Sequence, residues 1–135
     1  MEESAPDAML ERVAREVQAK WASVDEDRRL FFEALVALQG AEDDADVVKA
    51  AQLFRSAARQ CSEPFSFMAR LGQGRCEALR GREGVALKIF KTFTAGEGPR
   101  ELRRLAWMEI ADLGRRRENK ELVARAMLES RALGD

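Results

Sequence analysis

Apolar side chains recur along most of the chain with the three- and four-residue spacing of amphipathic helices. No stretch alternates apolar and polar residues, and the sequence contains no run of Val, Ile and Thr of the kind that favours strands. Capping and turn residues divide the pattern into seven segments. The predicted helices span about 5–24, 25–39, 46–60, 64–80, 82–94, 99–113 and 118–133. We therefore expect an all-α protein without a sheet.

Two capping boxes mark the beginnings of the first two helices. Ser4-Ala-Pro-Asp7 combines a hydroxyl that can accept a backbone N–H with a carboxylate at the positive end of the helix, and Ser23-Val-Asp-Glu26 repeats this arrangement. We therefore expect a helix boundary near residue 24. The chain would then consist of an N-terminal capping helix, residues 1–24, and a helical repeat domain, residues 25–135, together forming one compact unit.

The first helix has an apolar stripe opposite a charged face. The stripe consists of Leu10, Val13, Ala14, Val17, Trp21 and Val24. A helix of this kind can cap the helices that follow, pair with its own copy in a homodimer, or occupy a binding groove until a partner displaces it. The sequence leaves these three roles open.

A spacing of nearly forty residues relates the later helices to one another. In the second helix of each pair, an alanine leads a set of apolar residues: Ala50-x3-Phe54-x2-Ala57, then Ala86-x3-Phe90-x2-Phe93, and more loosely Ala124-x3-Leu128-x3-Ala132. In the first helix of each pair, the matching sets are Phe32, Leu35 and Val36; Met68, Leu71 and Gly72; and Trp107, Ile110 and Ala111. The pattern predicts three related helical hairpins.

Residue size explains why such a pattern favours stacking. Small residues let the two helices of one hairpin approach closely, and we expect Gly72 and Ala86 to have this role. Large residues such as Phe54, Phe90 and Trp107 are expected to fill the space between successive hairpins. One hairpin cannot bury its own apolar face, so about three copies must stack to form a stable core.

These residues resemble the tetratricopeptide repeat family over about residues 27–133. The match consists of Ala50, Phe54, Ala57 and Pro64 in the first unit, Leu71, Gly72, Ala86, Phe90 and Pro99 in the second, and Trp107, Ile110, Ala111 and Ala124 in the third. The family's tyrosines are absent, and Arg75 and Gly114 stand about where the first helix usually has one.

The resemblance implies an α-solenoid of three such hairpins, preceded by the N-terminal amphipathic helix and coiled as a right-handed superhelix. Its concave face, lined by the first helix of each hairpin, would hold a peptide or a helix of another protein. A helical bundle with the same periodicity is the alternative architecture.

Residues one, five and eight places after the large residue of each first helix are expected to face this groove. They are Glu33, Ala37 and Gly40; Ala69, Gln73 and Cys76; and Met108, Asp112 and Arg115. Most are small or apolar, which suits a partner with apolar anchors. The Lys, Arg and Asn side chains with which the family clamps a carboxyl terminus are largely missing, so we do not predict a chaperone-tail-binding role.

Charge is divided unevenly along the chain. Net charge is −1, but residues 1–46 carry thirteen acids and five bases, and the remaining residues carry eleven acids and eighteen bases. The two parts should attract each other, which favours docking of the N-terminal part on the rest.

The strongest basic cluster comprises Arg100, Arg103, Arg104, Arg115, Arg116 and Arg117. We interpret this cluster as a solvent-exposed face. The alternative interpretation is that it contacts an acidic partner. No aromatic residue interleaves these arginines, which argues against nucleic acid.

Residues for catalysis or metal binding are scarce. The chain has no histidine, and its two cysteines, Cys61 and Cys76, are too far apart in sequence for a CxxC zinc site. We expect two reduced thiols, no metal, no cofactor and no enzyme activity.

The acidic N-terminus lacks the form of a signal peptide, and no apolar stretch reaches the length of a membrane span. We expect a cytoplasmic protein.

The leading functional hypothesis is a non-catalytic adaptor that binds a peptide or helix of another protein in its groove. A chaperone of the type III secretion kind resembles the same layout and is the first alternative. A regulatory or nucleic-acid-binding protein that uses the basic C-terminal part is the second.

Overall fold

The computed structural model describes residues 5–95 and 98–134, with side chains described from residue 8 onward except at position 21. Within these residues the chain is all-helical and contains no strand, as the sequence predicts. The helices are α1 (Ala5–Gln39), α2 (Asp44–Gln60), α3 (Phe65–Leu79), α4 (Glu83–Thr94), α5 (Arg100–Arg116) and α6 (Lys120–Gly134).

The predicted boundary near residue 24 is wrong, because α1 is one continuous helix of 35 residues. The segment Ser23-Val-Asp-Glu26 contains neither Gly nor Pro, so nothing in it interrupts a helix. Asp27, next to this segment, has a tertiary role instead. Its carboxylate accepts a hydrogen bond from the backbone N–H of Ser62 at 2.8 Å, and the residue is only 7% exposed. The other predicted cap, Ser4, lies outside the described residues.

The remaining helix ends follow local sequence signals. Gly40 ends α1, and its N–H donates to the carbonyl of Val36 at 3.0 Å. Asp43 caps α2 by accepting from the N–H of Asp46 at 2.8 Å. Gly81, with φ of 79°, takes the left-handed conformation in the tight turn between α3 and α4, and it lies between the helices predicted over 64–80 and 82–94.

Each helix packs against the next helix in the chain, and α3 also contacts both α1 and α5. Among the described residues, α2 and α4 do not contact each other. The first, third and fifth helices therefore lie side by side along one layer of the molecule.

Helix α3 contributes to two hydrophobic cores through different faces. Ala69 and Cys76 belong to the first core, which also includes Phe31, Ala34, Ala50, Phe54, Ala57 and Cys61. Leu71 and Ala78 belong to the second core, together with Ala86, Phe90, Phe93, Ala106, Ile110, Ala111, Leu113 and Ala126. Trp107 is partly buried against this second core. Burial of α3 on both sides links the two halves of the protein.

Two glycines of α3 permit close helix contacts. A Cβ added to Gly72 would lie 2.5 Å from the ring of Phe54 in α2, and a Cβ added to Gly74 would lie 2.5 Å from the ring of Phe90 in α4. Phe54 therefore fills the space between successive helix pairs, as expected. Phe90 also packs within its own pair, where Gly74, rather than Gly72, provides the close approach.

The repeat pattern proposed for the last helix has the wrong register. Ala124, Leu128 and Ala132 are all exposed, Leu128 to 68%, whereas Ala126 is completely buried. Helix α6 is the last helix and packs on α5 alone, so only one narrow face of it is covered. An apolar stripe on such a helix gives a weaker signal than a stripe buried from two sides.

Replacing Gly72 by alanine should destabilise the protein by about 1–3 kcal/mol, because the new methyl group would overlap the Phe54 ring. Urea unfolding measures this free energy. Gly84 in α4 is the matched control, since nothing lies within 4 Å of its Cβ position. Gly84→Ala should leave stability unchanged or raise it by up to about 1 kcal/mol. Equal effects of the two substitutions would contradict the close packing at Gly72.

Candidate partner-binding clefts

An apolar cleft of about 130 Å³ lies between α1, α3 and α5, and we call it the apolar cleft. Its apolar lining residues are Phe31, Leu35, Leu38, Phe54, Met68, Leu71, Gly72, Leu102 and Leu105. Two charged residues, Arg75 and Glu109, also line it and form an ion pair that joins α3 to α5. The cleft can therefore accept an apolar group beside a fixed pair of opposite charges.

Three helices contribute evenly spaced residues to the apolar cleft. Phe31 of α1, Met68 of α3 and Leu105 of α5 are each separated by 37 residues along the chain. Gly72 has no side chain, so the ring of Phe54 packs directly against its backbone, and both residues line the cleft. The cleft thus forms where α1, α3 and α5 lie next to one another.

A second cleft, which we call the basic cleft, lies between α5 and α6 and has a volume of about 520 Å³. It shares Arg75, Leu105 and Glu109 with the apolar cleft. Its charged lining residues are Arg75, Arg104, Arg115 and Arg131, with Glu109 and Asp112. Four bases against two acids give this cleft a positive surplus, which favours acidic groups of a ligand.

Three of the predicted groove residues meet in the basic cleft. Met108, Asp112 and Arg115 lie along it, and Met108 is 50% exposed. Gln73 lines a different cleft, formed with residues of α2 and α4. These four predicted groove residues therefore line two different clefts.

The other predicted groove residues lie elsewhere. Ala69 and Cys76 are completely buried in the first core, and Ala37 is partly buried against that core. Glu33 is exposed and pairs with Arg29 on the same helix at 3.4 Å. Gly40 is exposed at the end of α1. None of these five lines the apolar cleft or the basic cleft.

The groove predicted from the sequence includes none of the residues that line the apolar cleft. Leu35, Met68 and Leu71 were included only in the repeat pattern, and Leu102 and Leu105 were not singled out. The signal that could have found them is the 37-residue separation of Phe31, Met68 and Leu105. Aligning the helices by their largest residue instead gave separations of 36 and 39.

Both cysteines are free thiols in the first core. Burial raises the pKa of Cys61, whose thiol also donates to the backbone carbonyl of Asp27 at 3.5 Å. Burial raises the pKa of Cys76 to about 11. Neither thiol has the lowered pKa of a reactive nucleophile. Within the described residues, no group of acidic or cysteine side chains is arranged to hold a metal ion.

The first half of α1 is a further candidate surface. Every described side chain from residue 8 to residue 26 is exposed. The apolar ones along one face are Leu10, Val13, Val17 and Val24, which we call the N-terminal stripe, and they are between 44% and 69% exposed. Residues 8–26 of α1 therefore do not cover the apolar cleft or the helices that follow α1.

Comparisons with protein-family models, with curated proteins and with solved structures gave no match for this chain. No described helix is both long enough and apolar enough to pass through a membrane.

The reactivity of the cysteine thiols tests whether Cys76 is buried in the folded protein. At pH 8 the folded protein should react with a thiol reagent such as DTNB far more slowly than the protein in urea. A pKa of about 11 in place of 9.0 lowers the thiolate fraction of Cys76 about 100-fold, and burial restricts access further. Rapid labelling of Cys76 in the folded chain would mean that it faces an open groove.

Proposed function

We propose that this protein is a non-catalytic adaptor that binds a short helical or extended segment of another protein. In this proposal its six helices form three stacked hairpins of the tetratricopeptide kind. The observation that carries it is the apolar cleft, to which evenly spaced residues of α1, α3 and α5 contribute.

Two features support the stacked arrangement. Helix α3 contacts both α1 and α5, as the first helices of successive hairpins do in a solenoid. The separation of 37 residues between Phe31, Met68 and Leu105 also matches one repeat per helix pair. A repeat of this kind generates a surface on which similar positions line one groove.

The size of the apolar cleft indicates the kind of anchor that it accepts. Its volume of about 130 Å³ is close to that of a cavity of about 150 Å³ that holds one benzene molecule. One leucine or phenylalanine side chain therefore fits, and its burial contributes about 1.5–3 kcal/mol to binding. Because a single anchor provides limited affinity, neighbouring contacts must contribute as well.

The basic cleft supplies such contacts, since it shares three lining residues with the apolar cleft. A partner with acidic residues beside its apolar anchor would place them near the arginines of the basic cleft while the anchor remained in the apolar cleft. The proposed ligand is thus an amphipathic segment with one large apolar residue and an acidic flank.

Peptide selection against the full chain would test this proposal. A displayed library of random 16-residue peptides should yield binders with a leucine or phenylalanine near acidic residues. Leu105→Arg, at a position that is 39% exposed in the apolar cleft, should weaken binding of a selected synthetic peptide at least about 10-fold.

Leu128→Arg is the control because Leu128 is 68% exposed on α6 and lines neither cleft. It should change the dissociation constant of the same peptide less than about twofold. Circular dichroism would confirm that both variants remain helical. Peptides that bind the Leu105→Arg variant as tightly as the original chain would refute the proposal.

A further inference from the structure

The ion pair between Arg75 of α3 and Glu109 of α5 lies where the two clefts meet, because both residues line the apolar cleft and the basic cleft. Its two members are unequally exposed. The side chain of Glu109 is 13% exposed, whereas that of Arg75 is 53% exposed. The carboxylate is therefore held inside the protein, and the guanidinium is the member of the pair that a ligand can reach.

The guanidinium of Arg75 can make more hydrogen bonds than the protein gives it. An arginine carries five N–H donors in a planar fork that matches a carboxylate. Within the described residues only Nη2 is used, and it donates to Oε1 of Glu109. The remaining donors can bind a second carboxylate without breaking the bond to Glu109. Arg75 is thus fixed by one acid and able to bind another.

The other charges of the basic cleft favour the approach of an acidic group. Both acids of this cleft are already paired, since Glu109 pairs with Arg75 and Asp112 pairs with Arg116 at 3.5 Å. Three further arginines line the cleft without a carboxylate partner in the part of the chain that the structure describes: Arg104, Arg115 and Arg131. The lining therefore keeps a positive surplus, which attracts acids to the cleft that Arg75 borders.

We propose that Arg75 determines the specificity of partner binding: it binds an Asp or Glu side chain next to the partner's apolar anchor, and Glu109 positions its guanidinium. Among the described residues that line the apolar cleft, Arg75 is the single base. A carboxylate beside an anchor in that cleft therefore meets Arg75, whereas the three unpaired arginines line only the basic cleft. This inference rests on the proposed function, because it names the charge that the partner carries beside its anchor.

Two small probes of the same shape test this selection on the unaltered full chain. 3-Phenylpropionate and 3-phenylpropanamide both carry a benzene ring, which matches the size of the apolar cleft, but only the first carries a carboxylate. NMR titration of the isotope-labelled protein measures both dissociation constants. The carboxylate should bind at least about fivefold more tightly, because charge-assisted hydrogen bonds are about twice as strong as neutral ones. The backbone amide signals of Gly72 and Leu105 should shift during both titrations.

Replacing both members of the ion pair by glutamine assigns the preference to Arg75. Arg75→Gln alone would leave the buried Glu109 unpaired, and this carboxylate would itself repel an acidic probe. The double variant Arg75→Gln/Glu109→Gln removes one positive and one negative charge, so the net charge is unchanged. In this variant the two probes should bind with dissociation constants within about twofold of each other, while the amide probe binds as it does to the original chain.

The ion pair between Glu26 and Arg29 on α1 provides the matched control. Its side chains are 54% and 61% exposed, and neither residue lines the apolar cleft or the basic cleft. The double variant Glu26→Gln/Arg29→Gln should therefore keep the full preference for the carboxylate probe. Circular dichroism would show that both double variants remain helical.

The possible contrary results differ in what they overturn. Equal binding of the two probes to the original chain would overturn this inference and leave the adaptor proposal standing. The same conclusion follows if the preference survives the double substitution at Arg75 and Glu109, or if it is lost in the control variant. Binding of neither probe would mean that the apolar cleft does not accept such an anchor, which would overturn both proposals.

Discussion

The contact between the Phe54 ring and the bare backbone of Gly72 determines how closely α2 can approach α3. Any side chain at position 72 would push the two helices apart, and both residues also line the apolar cleft. Gly74 allows the equivalent approach of Phe90 from α4. Because both contacts involve α3, this helix is enclosed on two faces, and its distances from α2 and α4 are set by two phenylalanine rings. The position of the cleft between α1, α3 and α5 follows from the same packing.

The sequence predicts the helical class and most helix ends because those signals are local. Gly40, the Asp43 cap and the turn at Gly81 each act within a few residues of where they stand. The boundary predicted near residue 24 failed for the opposite reason. A capping-box sequence does not by itself end the preceding helix, and no Gly or Pro interrupts the helix at residues 23–26. Asp27, beside it, accepts a hydrogen bond from Ser62, 35 positions away. That contact is tertiary and leaves no local pattern.

The residues that line the clefts were harder to predict than the fold because a helix turns by about 100° per residue. Aligning α5 on α3 by their large residues gave a separation of 39, whereas the cleft residues Met68 and Leu105 are 37 apart. An error of two residues rotates the inferred face by about 200° and exchanges groove for core. Even a small rotation matters: Ala69 and Cys76 lie about a quarter of a turn around α3 from the cleft residue Met68, and both are completely buried although both were predicted to face a partner. A prediction that a segment is helical remains correct after such an error, but a prediction of which face of the helix is exposed does not.

The uneven charge along the chain does not dock the first half of α1 on the rest, and the distribution of the acids explains why. Residues 8–24 contain two acids and three bases, so the negative surplus belongs mainly to residues 25–46. Those residues already lie against the body of the protein, where Asp44 pairs with Arg80 at 3.4 Å. The first half of α1 is thus left nearly neutral, with an exposed apolar stripe that lines neither cleft.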